Sequence, residues 1–323
     1  MYVAPTKTRL AYHPGMNTRP LGRTGYTVSE LGFGAAPAAF LKPDIDAAVK
    51  MLNGLLDQGL TLIDTATSYP GSQAFLGQHF AHRRDDFVLV SKVSGKFKGV
   101  DAPDWSAAVV AACVDNALKE LKTDYLDVML LHTCDLDTLK KGEALGALAT
   151  AREAGKIRFA GYSGDNEAAA YAAGHAEVAV LETSINIVDQ RNIDVALPAA
   201  GEKNVGVIVK RPVANACWKN LTDQPGMYKN YAADYTQRLP KMAITPADLG
   251  FDGDPLTVWP EIALRFTLSF PEVSSALVGT TNAANAQRNL DAAKKGPLPA
   301  DAVAKLRDAF KRADPNGEWP GLT

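Results

Sequence analysis

The stretch Leu126-Asp-Val-Met-Leu-Leu-His132 is apolar at nearly every position and ends on a histidine. Such continuous hydrophobicity is typical of a strand that is buried on both faces, as in a parallel sheet. Amphipathic segments flank it: 105–121 precedes it, and 138–155 follows it and stops at Gly155, a common helix end. This region therefore predicts a helix–strand–helix unit of an α/β domain.

Similar apolar runs recur along the whole chain, with helical segments such as 44–59 between them. Eight βα units in about 260 residues match a (β/α)8 TIM barrel. A doubly wound sheet would need a G-x-G-x-x-G turn after its first strand, and Gly32-Phe-Gly34-Ala-Ala-Pro37 lacks the third glycine. We predict one barrel domain over 1–323. The other predicted strands are 31–35, 60–64, 87–92, 157–162, 178–184, 205–210 and 275–279.

Three segments lie outside the repeating pattern. Residues 1–18 form an N-terminal extension, and 20–31 (PLGRTGYTVSEL) predict a β-hairpin that turns at Arg23-Thr24-Gly25 and plugs the bottom of the barrel. Residues 212–255 show little periodicity and predict a long loop after the seventh strand. Loops of that length in a compact domain commonly carry function, here contacts to a cofactor or substrate.

Composition excludes several classes of function. The 323 residues carry a formal net charge of −2 and no face-wide basic run, which argues against nucleic-acid binding. No apolar run is long enough to cross a bilayer, and the N-terminus lacks the apolar region of a signal peptide. Cys113, Cys134 and Cys217 are odd in number and far apart, which predicts no disulfide framework or zinc site. We expect a cytoplasmic protein.

Four chemically active side chains follow successive predicted strands. Asp64 closes the second strand with Tyr69 five residues later, Lys92 closes the third, and His132 closes the fourth. In a barrel these strand ends face one bowl. Each residue alone has an ordinary structural explanation, such as a helix cap or a solvated strand end. Four of them at successive strand ends favour a reaction centre.

Carbonyl reduction needs this set of groups. Tyr69 would protonate the developing alkoxide, Lys92 would lower the tyrosine pKa from its reference value of about 10, and Asp64 would hold Lys92 charged and oriented. His132 would hydrogen-bond the substrate oxygen. A metal-dependent hydrolase would need several ligands at strand ends, and only His132 of the five histidines lies at one. We predict no metal site.

Long motifs around these residues resemble the aldo-keto reductases. They are LIDTATSY (62–69), FVLVSK (87–92), LDVMLLH (126–132), RPLGRTGYTVSELGFG (19–34), GKIRFAGYSG (155–164) and the segment 263–290. The resemblance covers nearly the whole chain. It implies a (β/α)8 barrel that binds a nicotinamide dinucleotide without a Rossmann domain, and that oxidises or reduces small carbonyl compounds and alcohols.

The resemblance also implies cofactor contacts. Ser163, Gly164 and Glu182 fall at the nicotinamide carboxamide, where the family usually has Asn instead of Gly164 and Gln instead of Glu182. Lys210, Arg211 and Pro212 fall along the pyrophosphate. NADP(H) is favoured over NAD(H) as the family default, although the Lys and Arg that clamp a 2'-phosphate in one branch are absent. The remaining cofactor-binding candidates are Gly34, Gly279, Thr280, Thr281, Asn285, Arg288 and Asn289.

Tyr69, His132, Trp105 and Trp218 are the predicted substrate contacts. The polar and aromatic loops 93–105, 133–138 and 212–255 favour a small polar carbonyl or alcohol substrate such as a sugar. The segments KRPVANACW (210–218) and EWPGLT (318–323) resemble the sugar- and aldose-dehydrogenase branch of the family, which implies the same substrate class. Two alternatives stay open: an NAD-dependent sugar dehydrogenase, and a non-catalytic, cofactor-binding regulatory barrel. The oligomeric state also stays open.

Overall fold

The computed structural model describes residues 15–41, 44–224, 226 and 228–322. Eight parallel strands close into a barrel in the order β10-β3-β4-β5-β6-β7-β8-β9, and helices surround it. This confirms the predicted (β/α)8 fold. The strands are β1 (Thr18–Pro20), β2 (Thr27–Ser29), β3 (Leu31–Gly34), β4 (Leu62–Asp64), β5 (Val88–Val93), β6 (Leu126–His132), β7 (Ile157–Ser163), β8 (Val178–Ser184), β9 (Gly206–Lys210) and β10 (Val273–Val278).

The helices pack their apolar faces on the outside of the barrel. α2 begins after Asp44, whose carboxylate accepts a hydrogen bond from Ala47 N, and it buries the stripe that contains Leu52 and Leu56. The helices are α1 (Ala36–Phe40), α2 (Ile45–Asp57), α3 (Ser72–His79), α4 (Ala107–Leu121), α5 (Leu136–Lys141), α6 (Glu143–Glu153), α7 (Asn166–Gly174), α8 (Arg191–Val195), α9 (Leu197–Glu202), α10 (Tyr228–Lys241), α11 (Pro255–Thr267), α12 (Ala283–Lys294) and α13 (Ala300–Ala313). Among the described residues, no helix is both long and apolar enough to cross a membrane.

Two segments differ from the expected pattern. The continuous helix expected over 138–155 is divided at Gly142, which has a φ of 75° and separates α5 from α6. The long connection over 212–255 contains the 14-residue helix α10. That helix lacks aliphatic periodicity and is anchored instead by the fully buried Tyr235, so its packing partners rather than its own sequence pattern fix it.

The N-terminal hairpin closes the bottom of the barrel, as predicted. β1 and β2 pair antiparallel, and a short 3-10 turn over Gly22–Thr24 links them. Arg23 donates to the carbonyl oxygens of Ala176 and Val178, which lie where β8 begins. Leu21 is fully buried among the side chains that fill the barrel interior. Residues 1–14 of the predicted extension lie outside the described residues.

The barrel interior changes from apolar to charged along each strand. Because side chains on a strand alternate with a period of two, Val88 and Val90 face the barrel axis and Lys92 faces it one step higher. The same step leads from Leu62 to Asp64 in β4 and from Leu130 to His132 in β6. The polar residues at the ends of these sequence motifs therefore lie at the C-terminal mouth of the barrel.

Candidate active site

Lys92 and Asp64 form a buried ion pair at the mouth of the barrel. The two side chains come from neighbouring strands, β5 and β4, which pair in parallel. Lys92 Nζ donates to Asp64 Oδ1, and it also donates to the carbonyl oxygen of Thr65 at 3.1 Å. Lys92 is fully buried, so its charge depends on these partners rather than on water.

Glu182 is a second carboxylate on the same ammonium. Its Oε2 lies 3.2 Å from Lys92 Nζ without an aligned hydrogen bond, and its Oε1 accepts from Ser163 Oγ at 3.3 Å. Glu182 is 2% exposed. The sequence pattern did not predict this contact with Lys92. The available signal was that Glu182, like Asp64, is an acid that follows an apolar strand run.

The charges of this cluster perturb one another. Burial, and then repulsion from the Glu182 carboxylate, raises the pKa of Asp64 well above its usual range, although Lys92 opposes the change. Burial disfavours the charged form of Lys92, but the Asp64 and Glu182 carboxylates outweigh it and raise the pKa of Lys92. Lys92 is therefore a fixed cation, shared by two acids that repel each other.

Tyr69 lies between Lys92 and His132. Lys92 Nζ is 5.4 Å from the centroid of the Tyr69 ring, and the ring of His132 stands 5.9 Å from it at an angle of 84°. Phe40, from α1, packs edge-on against the Tyr69 ring, with the two ring centroids 5.6 Å apart. The four predicted residues thus meet in one place. Phe40 was not predicted, since a phenylalanine in a short alanine-rich helix carries no functional signal.

Burial favours the neutral forms of both the phenol and the imidazole. Burial raises the pKa of Tyr69 above its ordinary value; Lys92 pulls that pKa down, in the predicted direction, but does not outweigh burial. Burial, with help from the positive charge of Lys92, lowers the pKa of His132 well below its usual range. Ser68 Oγ lies 3.3 Å from His132 Nδ1. The site therefore offers a protonated phenol beside an uncharged imidazole.

The residues assigned to the nicotinamide end have features that fit such a group. Glu182 and Ser163 contact each other, and the buried Glu182 Oε2 accepts no hydrogen bond from the described residues, so an amide NH2 could supply one. Gly164 has a local reason to replace Asn, because a Cβ there would lie 2.3 Å from Tyr162 Oη. Gly34 lies opposite Gly279. A Cβ added at Gly34 would lie 3.9 Å from Gly279 N, which is an ordinary van der Waals distance.

The basic residues of the predicted pyrophosphate segment have partners within the protein. Lys210 Nζ lies 2.9 Å from the buried Asp165 carboxylate. Arg211 has a φ of 57°, donates to the carbonyl oxygen of Leu322, and stacks on the Tyr231 ring at 5.0 Å. The C-terminal segment therefore holds the start of this loop in place, an arrangement that the sequence did not indicate.

The predicted adenosine-phosphate residues gather around the start of α12. Asn282 caps this helix by accepting from Asn285 N at 3.0 Å, and its own N–H donates to Thr280 Oγ1 at 3.1 Å. The exposed Arg288 donates to the Asn285 side chain. Thr281 is half-buried beside them, and Asn289 is buried one turn on. A helix N-terminus with a nearby guanidinium suits a phosphate.

The two predicted tryptophans lie in loops on the C-terminal side of the barrel. Trp105 has a φ of 63° and packs over Gly95, to whose carbonyl oxygen it donates its backbone N–H at 2.9 Å. Trp218 stacks on Trp259 at 6.4 Å, and its buried Nε1 has no hydrogen-bond partner within the part of the chain that the structure describes. Among the described residues, no group of three or more His, Cys, Asp or Glu side chains is placed to hold a metal ion.

Comparison with known proteins identifies the family of the chain. Residues 30–311 match the model of the aldo/keto reductase family. The chain is 29% identical to L-galactose dehydrogenase of Arabidopsis thaliana, over 85% of this chain and 87% of that protein. It is 25% identical to the uncharacterized oxidoreductase YqkF of Bacillus subtilis, over 92% and 97% respectively.

Solved structures give the same result. The aldo-keto reductase AKR11C1 of Bacillus halodurans, in its holo form, superposes with a TM-score of 0.75 at 27% identity, covering 92% of this chain and 97% of that one. The chain therefore belongs to the aldo/keto reductase family and is an NAD(P)H-dependent oxidoreductase.

Proposed function

We propose that the protein interconverts a polar, sugar-like carbonyl compound and its alcohol, with Tyr69 as general acid in reduction and general base in oxidation, and with NADP(H) as the favoured cofactor. The observation that carries the proposal is the convergence of Tyr69 with Lys92 and His132 at one strand-end bowl. Lys92 Nζ and the His132 ring centroid lie 5.4 and 5.9 Å from the Tyr69 ring centroid, so one small substrate would lie near all three side chains.

The nicotinamide supplies or accepts the hydride, and the side chains handle the proton. Tyr69 Oη hydrogen-bonds the substrate oxygen and gives it a proton as negative charge develops there. The raised pKa of Tyr69 keeps the phenol protonated until that moment. Lys92 then stabilises the phenolate, and the neutral His132 donates a second hydrogen bond that fixes the angle of the carbonyl.

The choice of NADP(H) rests on the start of α12 as well as on the family. Arg288 and Thr280 lie at that helix start, where backbone N–H groups favour anions. A 2'-phosphate on the adenine ribose would find a cation and hydroxyl donors there. NAD(H) is the alternative cofactor. The relative affinities of the protein for NADP(H) and NAD(H) distinguish the two hypotheses.

A sugar-like substrate is supported by chemistry and by similarity. The rim loops supply hydrogen-bonding and aromatic groups such as Lys96, Asp104 and Trp105, a mixture that suits hydroxyl-rich ligands. L-galactose dehydrogenase is among the relatives. We also propose a cytoplasmic location, because the three cysteines are buried and unpaired, as in reducing compartments.

The proposal is tested with purified protein, NADPH or NADH, and a panel of sugars, polar aldehydes and apolar aldehydes, with the matching alcohols in the reverse direction. We expect Tyr69→Phe to lower kcat by at least about 100-fold while cofactor affinity stays unchanged. Tyr171→Phe, a change of the same size on the outer helix α7, is the matched control. Turnover by Tyr69→Phe at the rate of the parent would refute the role of Tyr69, and preference for apolar aldehydes would refute the substrate class.

A further inference from the structure

Resting on the function proposed above, we infer that Glu182 makes the site selective for the oxidised, cationic form of the cofactor, because the single buried ammonium of Lys92 is shared by two buried carboxylates. Asp64 and Glu182 both contact Lys92 Nζ. When both carboxylates are ionised, their two negative charges and the one positive charge of Lys92 leave the cluster with one uncompensated negative charge. Glu182 is therefore proposed as a specificity-determining residue, distinct from the proton-handling groups.

Among the described residues, the other charged groups near the cluster do not supply the missing positive charge. Lys210 is paired with the Asp165 carboxylate, and His132 is held neutral. Ser163, the hydrogen-bond donor to Glu182 Oε1, is uncharged. Burial makes the imbalance costly, since both carboxylates are at most 3% exposed. The raised pKa of Asp64 agrees with this, because a proton is one way to neutralise a carboxylate pair that lacks a second cation.

The positive charge of an oxidised nicotinamide ring would be the other way to neutralise the pair of carboxylates. When Tyr69 donates a hydrogen bond to a carbonyl oxygen, the carbonyl carbon would have to lie about 3–3.5 Å from the nicotinamide carbon with which it exchanges hydride. Tyr69 contacts Lys92, and Lys92 contacts Glu182, so a ring that exchanged hydride with this carbonyl would stand close to the uncompensated carboxylate. The oxidised ring carries a positive charge and the reduced ring carries none. The surplus charge therefore stabilises one oxidation state selectively.

The expected size of the effect follows from Coulomb's law. Removing one charge at about 7 Å from a cation, at an effective dielectric constant of about 20, changes relative affinity on the order of ten- to fiftyfold. A glutamine at this position would keep the hydrogen bond to an amide but lose the charge. A site with Glu182 binds oxidised cofactor firmly, which suits oxidation of an alcohol more than reduction of a carbonyl.

The test is calorimetric titration of the parent, Glu182→Gln and Glu177→Gln with NADP+ and with NADPH, and likewise with NAD+ and NADH. The readout is the ratio of the two dissociation constants, oxidised over reduced, without turnover. Glu177→Gln removes the same charge next to the opposite end of β8, where Glu177 pairs with Arg152 at 2.8 Å. We expect Glu182→Gln to raise the ratio by about ten- to fiftyfold and Glu177→Gln to leave it unchanged.

The outcomes are distinct. An unchanged ratio in a folded Glu182→Gln protein that binds both forms overturns this inference alone. Failure of the parent to bind any of the four nucleotides overturns the proposed function, and this inference with it. If Glu182→Gln does not fold, the parent decides: tighter binding of the oxidised form supports the inference, and tighter binding of the reduced form overturns it.

Discussion

Along β4, β5 and β6, the side chains that face the barrel axis change character within a single step of two residues. Below, Leu62, Val90 and Leu130 pack together with the hairpin residue Leu21 in an apolar layer. Directly above, the next inward-facing positions hold Asp64, Lys92 and His132. The lower layer stabilises the fold through burial of apolar surface. The upper layer holds buried ionisable groups, whose net contribution to stability is small, and the function proposed above assigns the chemistry to them.

Val90 and Lys92, two successive inward-facing positions of β5, give the largest expected contrast between effects on stability and on turnover. Lys92→Met leaves the Asp64 and Glu182 carboxylates buried without a cation, so we expect a loss of about 3–5 kcal/mol in free energy of unfolding near pH 7. We also expect kcat to fall at least about 100-fold. Val90→Ala should cost about 2 kcal/mol through the cavity it leaves, with turnover per folded molecule preserved.

Urea unfolding and steady-state kinetics on both variants measure this contrast. The loss in Lys92→Met should shrink as the pH falls, because protonation of the carboxylates removes the uncompensated charge. Loss of turnover in Val90→Ala, or full activity in Lys92→Met, would show that the two layers are not separate in function.

A smaller effect is expected at Asp189, a buried carboxylate at the same end of the barrel but outside the reaction centre. It accepts hydrogen bonds from Tyr235 Oη at 2.7 Å and from Leu322 N at 3.0 Å. Burial, and then the Asp165 charge, raises the pKa of Asp189 to about 6. Because the folded-state pKa lies above the unfolded value, the contribution of Asp189 to stability is complete below about pH 4 and is lost as the pH rises through 6.

Asp189→Asn removes this titration. The free energy of unfolding of Asp189→Asn, taken relative to that of the parent, should therefore rise by up to about 3 kcal/mol as the pH goes from 4 to 7. Chemical denaturation across that range measures the difference, and kcat should stay at the parental value. A difference that is independent of pH would mean that Asp189 does not titrate there.

The sequence predicted the barrel and the four strand-end residues because both depend on local patterns. Continuous apolar runs identify strands, and the polar residue that ends each run marks the mouth. The contact between Glu182 and Lys92 could not be read in this way, since it joins β8 to β5 across the barrel axis. The same holds for Arg211, whose partner Leu322 is 111 positions away in the chain.

Local patterns also failed where packing overrides them. Helix α10 is fixed by Tyr235, whose ring is buried in a cluster built from distant parts of the chain. The division of the 138–155 segment depends on the left-handed backbone of Gly142, which a helical hydrophobic pattern does not reveal. The direction of the Tyr69 pKa likewise depends on burial, which only the folded chain determines.

The most direct test of the division between stability and chemistry is Asp64→Asn, with the free energy of unfolding and kcat measured on the same preparation. This change removes the surplus negative charge and leaves Lys92 paired with Glu182. We predict a stability at neutral pH equal to or above that of the parent, together with a kcat reduced by at least about tenfold. A variant that lost about 3 kcal/mol or more of stability, yet kept the parental kcat, would contradict this division between stability and chemistry.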